Sequence, residues 1–118
     1  MAKHAIAIGL GSNLGDREAN IRRAVADLMQ AGLDRIRLSG LHETAAVDCR
    51  PDAPNFLNAA LTATTSLAPA ALLRQCLAVE AGIGRESRRA HGPPYRDRLI
   101  DLDILLVDDL VVNAGELV

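Results

Sequence analysis

The sequence predicts an α+β protein with the ferredoxin-like βαββαβ plan, in which both helices pack on one face of an antiparallel sheet. Four short segments contain either a continuous run or an alternation of apolar residues, which indicates strands. In two longer segments the apolar residues recur with helical spacing. These segments follow one another in the order strand, helix, strand, strand, helix, strand. With 118 residues, 49% of them hydrophobic and 24% charged, the composition is typical of one globular domain. We therefore expect residues 1–118 to form a single domain.

The first strand and helix are indicated by an apolar run and a helical repeat. The run Ala5–Leu10 ends in the glycine pair Gly9 and Gly11, which predicts a buried strand followed by a tight turn. Asp16 is suited to cap the next helix, and Gly32 is suited to end it. The predicted buried face of this helix consists of Ile21, Ala24, Val25, Leu28 and Met29.

Two alternating segments predict the middle strands. Ile36 and Leu38 alternate with polar residues, which predicts a half-buried strand from Arg35 to about Glu43. The proline-containing segment Thr44–Asn55 is predicted to be an irregular loop. The following strand has two faces, one formed by Leu57, Ala59, Leu61 and Ala63, the other by Phe56, Asn58, Ala60 and Thr62.

The second helix is predicted to begin at Pro69, a favourable first helical residue, and to end at Gly82 and Gly84. Its predicted buried face consists of Leu72, Cys76, Val79 and Ile83. A basic, irregular stretch is expected over Arg85–Arg98. The apolar density of Leu99–Val107 predicts the last strand.

Composition also excludes several classes of function. The net charge of −2 provides no general attraction to nucleic acid or to acidic membranes. No apolar run approaches the roughly 20 residues that span a bilayer, and the first residues lack a signal peptide, so we expect a cytoplasmic protein. Cys49 and Cys76 make neither a disulfide framework nor a zinc cluster. Phe56 and Tyr95 are the only aromatic residues, which argues against a sheet that binds RNA.

Asp101 and Asp103 are the strongest candidates for chemistry. Alternation along a strand places them on one face, opposite Ile100, Leu102, Ile104 and Leu106. Two like charges side by side repel each other, and a divalent cation with oxygen ligands removes that repulsion. Five arginines between Arg85 and Arg98 are suited to bind the phosphates that accompany such a cation. A solvated strand face and a solvated basic loop remain the alternatives.

Two further motifs allow more than one interpretation. The glycines of residues 9–15 follow G-x-G-x-x-x-G, which departs from the dinucleotide-binding pattern and favours a tight turn. Phe56 and Asn58 share a strand face, where a ring and a carboxamide can stack on a flat heterocycle and bind its edge. The alternative is that Phe56 packs under a helix and Asn58 caps a loop.

Three motifs together resemble the 6-hydroxymethyl-7,8-dihydropterin pyrophosphokinase family. They are Ile8-Gly9-Leu10-Gly11-Ser12-Asn13-Leu14-Gly15-Asp16, then Phe56-Leu57-Asn58-Ala59-Ala60, then Arg98-Leu99-Ile100-Asp101-Leu102-Asp103-Ile104-Leu105-Leu106. The resemblance implies a ferredoxin-like enzyme of folate biosynthesis that transfers pyrophosphate from ATP to the pterin hydroxymethyl group and releases AMP. The alternative is a module of the same fold that binds nucleotide or pterin with little or no turnover.

The resemblance also implies the role of each site residue. Asp101 and Asp103 are expected to hold two Mg²⁺ ions between the phosphates of ATP, and Arg85 and Arg98 to contact those phosphates. These four residues are the expected catalytic group. Further nucleotide contacts are expected from Glu80, on the last turn of its helix, and from Ile104, near the adenine. The expected pterin pocket consists of Thr44, Val47, Phe56 and Asn58.

Members of this family usually continue beyond the position of Val118. We therefore expect this chain to lack the usual C-terminal part of the family. The apolar surface that this part would cover makes self-association an expectation. The expected small-molecule partners are ATP and the pterin, without nucleic acid or membrane.

Overall fold

The computed structural model describes residues 3–13, 15–45, 55–91, 99–108 and 110–111. In chain order, the elements of these residues are β1 (His4–Ser12), α1 (Arg17–Ala31), β2 (Leu33–Leu38), β3 (His42–Thr44), β4 (Phe56–Thr65), α2 (Pro69–His91), β5 (Asp101–Val107) and β6 (Leu110–Val111).

The strands form one antiparallel sheet with the order β2-β4-β1-β5-β6, and β3 pairs with β4. The four longest strands alternate with α1 and α2 in the predicted βαββαβ order. The order β2-β4-β1-β5, in which the first and last of the four predicted strands are neighbours, is the ferredoxin-like arrangement. The predicted fold class is therefore confirmed, with the short strands β3 and β6 as additions.

One apolar core lies between the helices and a single face of the sheet. The alternating burial along β1 shows how the sequence builds it, because Ile6, Ile8 and Leu10 are buried and their neighbours Ala5 and Ala7 are not. The other strands and both helices add Ala24, Leu28, Leu33, Leu61, Ala63, Leu72, Val79, Ile83, Leu102 and Ile104, among others. The opposite face of the sheet is where β1, β4 and β5 present their remaining side chains.

The prediction of one strand from Arg35 to about Glu43 is wrong, because the structure has two strands there. In β2 a bulge interrupts the pairing with β4, and Arg35 takes a left-handed φ of 53°. After β2, the Ser39 amide donates to the Ala60 carbonyl at 2.8 Å, and Ser39 Oγ accepts from the Ala60 amide at 2.9 Å. The serine hydroxyl thus takes the place of a backbone acceptor and interrupts the regular ladder before β3 begins.

The predicted limits of α1 are confirmed by its caps. Asp16 Oδ1 accepts a hydrogen bond from the Ala19 amide at 3.1 Å, and Gly32 ends the helix with a left-handed φ of 119°. Ile21, Ala24 and Leu28 are buried as predicted, but Met29 is 58% exposed. Met29 therefore does not belong to the buried face of α1, which the structure limits to Ile21, Ala24 and Leu28.

The predicted end of the second helix at Gly82 and Gly84 is wrong. α2 continues through both glycines to His91, so the first half of the basic stretch Arg85–Arg98 is helical. A glycine inside a helix costs about 1 kcal/mol, but Ile83 between the two is buried in the core, and its packing outweighs the local preference. Although α2 has 23 residues, no helix in the described part of the chain is long and apolar enough to span a membrane.

A bulge in β5 changes which of its side chains face the core. Ile104 pairs with Ile8 while Leu106 pairs with Ala7, so β5 has one extra residue between the two pairs. The extra residue reverses the alternation. Val107 is therefore buried in place of Leu106, which was predicted to share a strand face with Ile104 and is 38% exposed.

Asp108 anchors the end of β5 to the start of β1. Its carboxylate accepts hydrogen bonds from His4 Nδ1 at 2.8 Å and from the Ala5 amide at 2.9 Å. The bond from His4, followed by the bond from Ala5, holds the pKa of Asp108 below its ordinary value of 3.8. The φ of 55° at Asp108 belongs to the left-handed region, which aspartate adopts more readily than most residues.

Candidate functional site

A cavity of about 320 Å³ lies over three adjacent strands of the sheet. It is formed by the end of β1, the start of β4 and the start of β5, with the end of β3 at its rim. Its lining residues are Gly9, Leu10, Gly11, Thr44, Ala45, Phe56, Asn58, Ala59, Asp101 and Asp103. The cavity thus brings together both pairs of residues that the sequence singled out on separate strands, the aspartates and the Phe56–Asn58 pair.

The floor of the cavity is formed by the central strand β1. There Gly9 and Gly11 have no side chains and leave a trough between β4 and β5. Gly11 pairs with Asn58 of β4 on one side and with Asp101 of β5 on the other. Gly9 occupies the equivalent position opposite Asp103. Because neighbouring strands lie about 4.8 Å apart, the backbones at Asn58 and Asp101 are separated by roughly 10 Å across the trough.

The prediction that Gly9 and Gly11 make a tight turn is wrong, because both lie within β1. The turn after β1 instead uses Gly15, which has a φ of 68°. The trough glycines were missed as site residues although a signal was present. They occupy the positions that alternate with the buried Ile8 and Leu10, and they therefore face the same side of the sheet as the candidate site.

Asp101 and Asp103 share one face of β5, as the alternation predicts. Both line the cavity, while the intervening Leu102 is buried in the core. Asp101 is half-buried and Asp103 is exposed. Among the described residues, no group of three or more His, Cys, Asp or Glu side chains is placed to hold a metal ion. A pair of carboxylates suits Mg²⁺, which keeps several waters and is often completed by phosphate oxygens of a substrate.

Phe56 and Asn58 lie on the other side of the trough. Asn58 Nδ2 donates to Thr44 Oγ1 at 2.6 Å, which fixes the carboxamide so that its Oδ1 lies over Gly11. Phe56 is half-buried and lines the cavity beside Gly11. Phe56 therefore does not pack under a helix. The hydrogen bond of Asn58 joins β4 to β3 at the rim, and the ring and carboxamide both border the open space.

Glu80 lies in the middle of α2, since the helix continues beyond it, and its predicted place on the last turn is wrong. Its Oε2 accepts a hydrogen bond of 2.7 Å from the Leu102 amide, which belongs to the residue between Asp101 and Asp103. On the helix side of the sheet, Glu80 thus holds the strand segment that bears the aspartates. No pattern in the sequence predicts this contact, because its partner is a backbone amide 22 residues away.

Cys76 is a buried core residue, as predicted, one helical turn before Glu80. Burial, followed by the negative charges of Glu80 and Asp103, raises the pKa of its thiol to about 12. The thiol therefore stays protonated at neutral pH.

A second side chain, from α1, fixes the start of the same strand. Asn20 Nδ2 donates to Ser12 Oγ at 3.1 Å and to the Leu99 carbonyl at 3.2 Å. Ser12 is buried at the end of β1, and Leu99 precedes the aspartate strand by two residues. Asn20 and Glu80 thus bind the backbone of this segment on either side of Asp101.

The remaining predicted site residues are either buried in the core or have side chains that the structure does not describe. The side chain of Ile104 is 2% exposed and belongs to the core, so it does not line the cavity. Val47 and Arg98 lie outside the described residues, and Arg85 lies in α2 beyond the last residue of that helix whose side chain is described. The predicted phosphate-binding arginines therefore stay predictions.

Comparison with known proteins identifies the family. The profile described as 7,8-dihydro-6-hydroxymethylpterin-pyrophosphokinase matches residues 7–117. The chain belongs to this family. The 2-amino-4-hydroxy-6-hydroxymethyldihydropteridine pyrophosphokinase of Methylorubrum extorquens is 38% identical over 94% of this chain and 68% of its own length. The protein of the same name from Aquifex aeolicus is 40% identical over 91% of this chain and 63% of its own length.

Other relatives are much longer proteins. The mitochondrial folate synthesis bifunctional protein of Arabidopsis thaliana is 37% identical over 98% of this chain, which spans 20% of that relative. The chain thus spans about a fifth of the plant relatives and about two thirds of the bacterial ones. The family that the three motifs predict is confirmed.

Proposed function

We propose that this member of the pyrophosphokinase family transfers pyrophosphate from ATP to 6-hydroxymethyl-7,8-dihydropterin and releases AMP. The observation that carries the proposal is the cavity itself, in which an aspartate pair and an aromatic–carboxamide pair face each other across a glycine trough. A carboxylate pair suits a metal–phosphate complex, and a ring beside a carboxamide suits a flat heterocycle. The names of the bacterial relatives, which are pyrophosphokinases of a hydroxymethyldihydropteridine, support the pterin as the acceptor.

On the nucleotide side, Asp101 and Asp103 would hold Mg²⁺, as two ions by resemblance, and the metal would neutralise charge on the phosphates of ATP. Their exposure toward the cavity and their common strand face fit this role. By resemblance, Arg85 and Arg98 would supply guanidinium groups to the same phosphates. Glu80 and the backbone of Ile104 would lie near the nucleotide.

On the pterin side, Phe56 would stack on one face of the ring and Asn58 would bind its polar edge. Thr44 orients the carboxamide through the hydrogen bond of 2.6 Å and would line the pocket together with Val47. A pterin bound there has to point its hydroxymethyl group along the trough toward the aspartates. The roughly 10 Å across the trough allows a bicyclic ring and a phosphate to be neighbours.

The proposed reaction requires little from the protein beyond positioning. The hydroxymethyl oxygen attacks the β-phosphorus of ATP, the bond from that phosphorus to the α-phosphate oxygen breaks, and AMP leaves. The hydroxyl proton passes to solvent. Phosphoryl transfer of this kind depends on alignment and charge neutralisation, so a strong general base beside the hydroxyl is not needed.

The test is release of AMP from ATP and Mg²⁺, measured by chromatography with and without 6-hydroxymethyl-7,8-dihydropterin. We expect pterin-dependent AMP that chelation with EDTA abolishes. Asp101→Asn and Asp103→Asn should each reduce the rate at least about a hundredfold, because each removes a charged ligand of the metal. Asp27→Asn is the matched control, since Asp27 lies on α1 in an ion pair with Arg23.

Two results would contradict the proposal. AMP release that does not depend on the pterin would show that the trough does not align the two substrates. Binding of nucleotide and pterin without any AMP would favour the alternative of a binding module with the same fold. Self-association stays a prediction that sedimentation of the same preparation would check.

A further inference from the structure

We propose that Gly11 determines whether the cavity accepts the pterin ring, through the space that its missing side chain leaves beside Asn58 and Phe56. The inference rests on the proposed function and extends it to a residue outside the predicted site. Gly11 borders both halves of the cavity, because it pairs with Asn58 on one side and with Asp101 on the other.

The backbone gives no reason for a glycine at this position. Among the described glycines, only Gly15 and Gly32 have a positive φ, whereas Gly11 is a regular strand residue paired on both sides. Glycine inside a strand is less favourable than alanine, because it loses more backbone entropy on folding and has no side chain to pack. What Gly11 provides is therefore space.

The geometry shows which atoms depend on that space. A Cβ atom on Gly11 would lie 3.0 Å from Asn58 Oδ1 and 3.5 Å from Phe56 Cδ1. The first distance is shorter than an ordinary carbon–oxygen contact, so the carboxamide would have to move. The hydrogen bond of 2.6 Å between Asn58 Nδ2 and Thr44 Oγ1 opposes that movement. Even a methyl group would therefore misorient the carboxamide and narrow the passage between the two halves.

The neighbouring glycines offer matched comparisons. A Cβ on Gly9 would meet Leu105 at 3.6 Å, which is an ordinary van der Waals contact, so the same change there disturbs no polar group. A Cβ on Gly40 would have nothing within 4 Å. The three positions therefore form a graded series in which only Gly11 controls the orientation of Asn58.

The experiment is titration calorimetry of 6-hydroxymethyl-7,8-dihydropterin into protein saturated with Mg²⁺ and a non-hydrolysable ATP analogue. We expect Gly11→Ala to raise the Kd for the pterin about tenfold or more, the effect of one misaligned hydrogen bond in a partly buried site. The Kd for the ATP analogue should change less than about twofold, because Asp101 keeps its position. Gly9→Ala should lose less affinity than Gly11→Ala, and Gly40→Ala should match the wild type.

A double-mutant cycle identifies the mechanism. It also keeps the inference testable if the Gly11→Ala protein alone does not fold. Asn58→Ala removes the crowded carboxamide, so Gly11→Ala should cost little further pterin affinity in that background, and the double variant should fold. Equal losses in both backgrounds, or unchanged pterin affinity in Gly11→Ala, would overturn the inference. A wild-type protein that binds no pterin would instead overturn the proposed function, so the two failures are distinguishable.

Discussion

Glu80 provides the sharpest prediction about how the fold holds the aspartate strand. Its carboxylate accepts a 2.7 Å hydrogen bond from the Leu102 amide, and Leu102 is only 6% exposed. In Glu80→Ala the amide loses its acceptor in a place that water reaches poorly. A hydrogen bond to a charged group contributes about 1.5 to 3 kcal/mol, and an unsatisfied buried donor costs a similar amount. We therefore expect Glu80→Ala to lower the free energy of unfolding by about 2 kcal/mol.

Urea denaturation followed by circular dichroism measures this loss, and the melting temperature should fall by about 8 °C. Glu80→Gln separates the hydrogen bond from the charge, because its carboxamide oxygen still accepts from the amide while the charge is gone. It should recover at least half of the loss. Glu18→Ala is the surface control, since Glu18 makes an exposed ion pair with Arg22 on α1 and should cost less than about 0.5 kcal/mol.

Two outcomes would refute this reasoning about Glu80. A Glu80→Ala protein as stable as Glu18→Ala would mean that water satisfies the Leu102 amide in the variant. A Glu80→Gln protein as unstable as Glu80→Ala would mean that charge, rather than an acceptor, is what the strand requires. Either result would remove the argument that α2 positions the aspartates through this bond.

Three further predictions test the core, the turn after β5 and the buried thiol. Leu72→Ala, at a fully buried position of α2, should cost about 3 kcal/mol in urea denaturation, whereas Leu77→Ala, 53% exposed on the same helix, should cost less than about 0.5 kcal/mol. Because the pKa of Asp108 is lowered in the folded protein, its contribution to stability is present above the ordinary value of 3.8 and is lost as the pH falls through the folded pKa. Stability measured from ~pH 5 to ~pH 3 should therefore fall less steeply in Asp108→Asn, and an unchanged slope would contradict this assignment. With its pKa raised to about 12, the Cys76 thiol of a Cys49→Ser protein should react with a thiol reagent only as fast as the protein unfolds, and prompt reaction in the native state would contradict its burial.

Local patterns in the sequence were sufficient for most of the fold. The helical repeat of Leu72, Cys76, Val79 and Ile83 identifies the buried face of α2, because burial of one helix face depends mainly on spacing. The same holds for the alternation in β4. What failed depended on distant partners. The bulge that exposes Leu106 exists only because β5 pairs with β1, and the helix continues past its glycines because the sheet covers Ile83.

The candidate site could be predicted in parts but not as an arrangement. Strand alternation identified the face of Asp101 and Asp103 and, separately, the face of Phe56 and Asn58. That the two faces border one cavity follows from the strand order β4-β1-β5, which no local pattern contains. The contact of Glu80 with the β5 backbone could not be predicted for the same reason. The two residues become neighbours only when the sheet has formed.

The glycines of β1 show where a local rule and the fold lead to different conclusions. Two glycines spaced by one residue favour a turn when the local sequence is considered alone, because glycine adopts backbone conformations that other residues avoid. In the sheet the same spacing equals the strand period, so Gly9 and Gly11 face one side, and their neighbours Ile8 and Leu10 fill the core on the other. Glycine has no side chain to pack, so it weakens a strand. It is often found in a strand where another group approaches the backbone closely. Here the groups beside Gly11 are the carboxamide of Asn58 and the carboxylate of Asp101, and the open space between them is the feature on which both the proposed reaction and the proposed role of Gly11 depend.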